Sequence, residues 1–220
     1  MKRSSSFIVA VALAAALVGT QSMTAAAYSE FDAKRVSDGL NAAYATARQV
    51  DRSMVEGDPQ MALNAIRQAL KTVDTQLADA EKLVAADDAV APGIQHVRAN
   101  IATMLATNDP ARWGTLMDES MLELYALSID GTIVEALAHL STASDAARDG
   151  RTADLGAALQ KAGHALDVAT GKGGYHTQND LDAVQQTLLD LSSGQTVAGD
   201  VIQERIDEVR SHLFDVRAEQ

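Results

Sequence analysis

Four side chains in the middle of the sequence have the types and spacing that metal chemistry requires: Glu135, His139, His164 and Asp167. Glu135 and His139 are four residues apart and share one face of a helix; His164 and Asp167 are three apart and share another. The pairs flank Asp149-Gly150, which reads as a turn. Antiparallel pairing about that turn sets position 135 near 165, and 139 near 161. Imidazoles and carboxylates so placed bind zinc or copper. The apolar pattern argues the other way. Ile133, Leu137, Leu140 and Ala147 form the stripe of one helix, and Leu155, Leu159, Ala162 and Leu166 that of the next. The four polar groups lie off both stripes. The expectation is therefore solvated flanks, with no bound metal, no cofactor and no catalytic residue.

Other chemistry is scarcer. His96, His176 and His212 stand alone in sequence, and Met104, Met117 and Met121 have the spacing of core filler rather than of a copper or haem site. Gly171-Lys172-Gly173-Gly174 follows a helix and lacks both the spacing and the hydroxyl residue of a phosphate loop, so it reads as a connection. No nucleophile elbow occurs. Without cysteine there is no disulfide, thiolate metal site or thiol nucleophile.

The chain is acidic, with 18 basic against 30 acidic residues. Such a surface is a poor match for nucleic acid and for anionic lipid. Residues 1–27 read as a cleaved signal peptide. Lys2 and Arg3 precede the apolar run Phe7 to Gly19, and Ala25 and Ala27 supply small residues for cleavage. Cleavage implies export to the periplasm and a mature chain of residues 28–220, read as a single α-helical domain with no membrane association. Homo-oligomers are compatible with this reading, and the protein or small-molecule partner is not specified.

The elements that must position these groups are all helical. Predicted helices cover Glu30 to Val55, Pro59 to about Ala86, Ile94 to Ala106, Arg112 to Ser128, Thr132 to Arg148, Thr152 to about Thr170, Asp180 to Ser192 and Thr196 to about Arg217. Asp58-Pro59 and Asp109-Pro110 read as helix starts, Asn179 as a cap, and Pro92-Gly93 and Asp130-Gly131 as breaks. Three short Gly-containing turns, at Gly57, Gly150 and Gly194, have the form of αα-hairpins. Their unequal spacing favours a bundle over a repeat solenoid. The fold class is all-α, a bundle of antiparallel helical hairpins with no β-sheet.

Val36-Ser37-Asp38-Gly39-Leu40, the turn Gly57-Asp58-Pro59 before an Ala/Leu helix, and the hairpin from Ala146 to Gly163 resemble the YfdX family of exported bacterial α-helical proteins. That resemblance implies a periplasmic, stress-associated protein with no established enzymatic activity. The function expected on this basis is a non-catalytic interaction protein. The alternative is a periplasmic carrier holding a small ligand or metal between helices.

Overall fold

The computed structural model describes residues 28–56, 59–85, 88–107, 110–170, 175–192 and 199–218. Among them are seven helices and no strand: α1 (Glu30–Glu56), α2 (Pro59–Glu81), α3 (Val90–Ala106), α4 (Pro110–Arg148), α5 (Thr152–Thr170), α6 (Tyr175–Ser192) and α7 (Gly199–Ala218). The chain is all-α.

Local chemistry sets several ends. Ser29 Oγ accepts the Asp32 N–H at 3.1 Å, and Glu30 and Asp32 put negative charge in the first turn of α1. At the end of α4, Gly150 has φ +69. Its N–H bonds Ala147 O at 3.2 Å, and Arg151 N–H bonds Ala146 O at 2.8 Å. This is a Schellman stop, and the left-handed residue it needs is the glycine. The chain reverses there, so α5 returns along α4.

Helical stripes then become cores. Val36, Leu40, Ala43, Ala47 and Val50 of α1 are buried against Leu70, Val73 and Leu77 of α2, with Ile94 and Ile101 of α3 and Trp113 and Leu124 of α4. A second cluster joins Ile133 and Leu140 of α4 to Leu159 and Leu166 of α5, Leu188 of α6 and Leu213 of α7. α4 runs through both. Its 39 residues span about 58 Å at the α-helical rise.

Three expectations about helix ends are corrected. Asp130-Gly131 does not interrupt α4. A Cβ at Gly131 would lie 3.0 Å from Leu40 Cδ1 and 3.2 Å from Ser37 Cα, so this glycine admits α1 at close range rather than making a turn. Pro92 lies within the first turn of α3, where a missing N–H leaves no helical bond unmade. α6 begins at Tyr175, so Asn179 is inside it and is not its cap. The turn residues Gly57-Asp58 and Asn108-Asp109, the Gly171 to Gly174 segment, Gly194 and the signal segment 1–27 lie outside the described residues. Among the described residues no helix is long and apolar enough to cross a membrane.

Gly114 contrasts with Gly131. It is near the start of α4, and nothing lies within 4 Å of a Cβ built there. Gly114→Ala should therefore raise stability by about 0.5–1 kcal/mol, by removing backbone freedom from the unfolded chain and improving helix propensity. Urea denaturation checks this; a loss of stability would contradict the open space at that position.

Candidate functional site

The α4–α5 hairpin brings the sequence-predicted residues together in part. Glu135 and His139 of α4 and Lys161, His164 and Ala165 of α5 line one groove. Its third wall is the start of α1, with Glu30, Phe31 and Lys34, and its volume is about 590 Å³. A neighbouring groove of about 400 Å³ shares Lys161 and His164, and continues past Asp167 to Gln185 and Leu189 of α6. His164 and Asp167 are exposed.

His139 corrects the expectation of solvated flanks: only 7% of the residue is exposed. The cause is the first turns of α1, which cross the second half of α4. Ala33 packs there against Val134 and Ala138, with Tyr28 beside them. This stretch of α4 is covered on several sides, and Ile133 to Leu140 is buried except for half-buried Glu135. Near-continuous apolar or small residues from Ile133 to Leu140 are the signal of an enclosed helix.

The groove's charges are interlocked. Glu30 Oε2 is 3.3 Å from His139 Nδ1 and 3.2 Å from Lys161 Nζ. Burial pushes the Glu30 carboxyl up, but hydrogen bonds from Thr142 and Lys161 and the nearby His139 outweigh it and hold the group below its ordinary range. Lys34 Nζ sits 2.9 Å from Asp38 and 3.9 Å from Glu135. The Asp38 hydrogen bond holds the Lys34 ammonium above its ordinary range. Sequence reasoning missed Glu30, Lys34 and Lys161. Nothing local marks them, because their relevance comes from the crossing of α1 over the α4–α5 hairpin.

Among the described residues no three His, Asp or Glu side chains gather in a way that could hold a metal ion. Glu135, His139, His164 and Asp167 thus share adjoining grooves without forming a metal centre. His96 and His212 are exposed, and the His176 side chain lies outside the described residues. Met104 and Met117 are buried in the first core and Met121 packs at its edge, as core filler.

A second polar cluster is deeply buried. Arg217, near the end of α7, pairs with Asp88 ahead of α3, and its Nε lies 3.5 Å from Asp130 Oδ1 in α4. The Arg217 and Asp88 side chains are only 6% and 5% exposed. Tyr28 donates its hydroxyl to Asp88 Oδ2 at 3.0 Å. Burial pushes the Tyr28 phenol up to about 12 and the Asp130 carboxyl up to about 7. The arrangement binds the chain's last helix to its first core.

An all-helical protein with a ligand-sized groove of mixed charge and apolar walls is compatible with several enzyme classes. The family model described as squalene/phytoene synthase matches residues 18–219. The chain belongs to that family. No curated protein and no solved structure gives a significant match. Membership corrects the YfdX resemblance, which rested on turn phrases and Ala/Leu helices that any antiparallel bundle uses. It also overturns the expected non-catalytic stress or interaction protein, its carrier alternative, and the stress-response and periplasm labels that came with them. The family comprises prenyltransferase-like enzymes of isoprenoid biosynthesis, so the expectation that the chain is not an enzyme is withdrawn.

Proposed function

We propose that the chain is a prenyl-transfer enzyme of isoprenoid synthesis and that its substrate lies in the groove between α1, α4 and α5. The observation that carries this reading is the family match over residues 18–219. The groove supports it. Its volume is within the range of small-molecule sites. Phe31 and Ala165 offer apolar contact to a hydrocarbon chain, while Lys34 and Lys161, each more than half exposed, offer cations to a diphosphate.

In prenyl transfer the allylic C–O bond breaks and diphosphate departs with the electron pair. The resulting cation is attacked by an alkene. Preorganised positive charge at the departing oxygens lowers that barrier. Divalent cations often supply it from clustered carboxylates, but the described residues do not fit such a centre. The chain's own contribution is to exchange the Lys34 and Lys161 ion pairs for contacts with the leaving group, in a site walled by helices.

The test is direct. The purified chain is incubated with geranyl, farnesyl and geranylgeranyl diphosphate, with and without magnesium, and both diphosphate and hydrocarbon products are measured. Release of diphosphate with formation of a new prenyl product is expected. Lys161→Ala should reduce the rate by about 10- to 100-fold if that ammonium meets the leaving group. No release from any of the three substrates would overturn the reading.

A further inference from the structure

His139 is a basic group held in a particular way. Its side chain is 9% exposed, and its Nδ1 is fully buried without an aligned hydrogen bond. Glu30 Oε2 lies 3.3 Å from it. Glu30 is kept ionised by Thr142 and Lys161 despite its burial penalty. A carboxylate beside Nδ1 favours the tautomer that carries the proton there. The ring still lines the groove. With the proton on buried Nδ1, Nε2 is the ring nitrogen left with a free lone pair for a ligand in the groove.

We propose that His139 is the general base of the groove and that Glu30 is its positioning residue. This rests on the prenyl-transfer reading above. After diphosphate has left with its electron pair and the acceptor alkene has attacked the allylic cation, the positive charge sits on the acceptor. A C–H bond adjacent to that new cationic carbon then breaks. Its electron pair forms the new C=C bond, and the proton passes to Nε2 of His139. The resulting imidazolium is stabilised by Glu30, as a carboxylate stabilises the histidine of a catalytic dyad. The proton then returns to solvent at the groove mouth. Before substrate binds, Lys161 lies on the same carboxylate oxygen. Once it has turned to the diphosphate, the Thr142 hydrogen bond and the imidazolium itself hold Glu30 in its ionised form.

Two measurements on the full chain test this. Long-range ¹⁵N–¹H spectra should show His139 protonated at Nδ1 in the wild type, with the proton moving to Nε2 in Glu30→Ala. An Nε2-protonated wild type overturns the assignment. In the geranyl diphosphate assay, His139→Gln should lower alkene formation at least about tenfold more than it lowers diphosphate release, with alcohol appearing as water captures the cation. Glu30→Ala should shift products the same way, by a smaller factor, and gives the same information if His139→Gln folds poorly. Diphosphate release with an unchanged alkene fraction defeats the base assignment alone. No release by the wild type defeats the prenyl-transfer reading and the base assignment together.

Discussion

Arg217→Met is expected to destabilise the chain by about 3–5 kcal/mol, the cost of leaving buried charge without its partner. Arg217 lies in the last turn of α7, but its guanidinium is buried against Asp88 and near Asp130. Removing it strands two carboxylates. Asp130 can escape by taking a proton, since burial pushes it up to about 7. Asp88 accepts hydrogen bonds from Tyr28 and the Val90 N–H, which compensate only in part for the lost cation. Urea denaturation monitored by far-UV circular dichroism measures the effect. A loss below about 1 kcal/mol would show that the cluster behaves as an exposed ion pair.

The same cluster makes stability depend on pH. Asp130 has a folded-state value near 7, above its ordinary 3.8. Between those values the folded chain holds a proton that the unfolded chain has released. The contribution is present in full below the unfolded value and is lost as pH rises through about 7, at about 1.4 kcal/mol per pH unit. Asp130→Asn mimics the protonated carboxyl. Relative to the wild type, its stability should therefore improve by about 2–3 kcal/mol between about pH 5 and about pH 8. Equal differences at both pH values would contradict the upward displacement.

The second large effect is at Gly131. Gly131→Val should cost about 3 kcal/mol or more, because its branched side chain meets Leu40 and the Ser37 backbone of α1 where even a Cβ lies at 3.0–3.2 Å. Gly131→Ala gains helix propensity worth about 1 kcal/mol, so its net loss should be smaller, about 1–2 kcal/mol. Gly114→Ala, in the same helix, is the internal control, with an expected change of opposite sign. If both alanine variants stabilise equally, α1 and α4 are not in close contact at Gly131.

Particular residues show which parts of the structure were legible in the sequence. The stripes Val36–Leu40–Ala43–Ala47–Val50 and Leu155–Leu159–Ala162–Leu166 identify buried faces directly, because helical period and burial coincide when a helix meets one neighbouring surface. Thr152 to Thr170 has the predicted span. The turn at Asp149-Gly150 sets the α4–α5 register, so Glu135 and His139 fall beside Lys161, His164 and Ala165. Asp130-Gly131 misled for a physical reason. Asp-Gly is a turn signal when exposed, but here the aspartate faces an arginine from α7 and the glycine faces α1.

The sequence by itself determined helices, their buried stripes and the hairpin that gathers Glu135, His139 and His164 at one place. Each of these follows from interactions within a few turns of chain. The tertiary structure alone decided that His139 is buried, that Glu30 and Lys161 meet beside it, and that Arg217 joins Asp88 and Asp130. Those contacts depend on which helix crosses which. Glu30 and Lys161 are 131 positions apart, and no local period records an encounter at that distance.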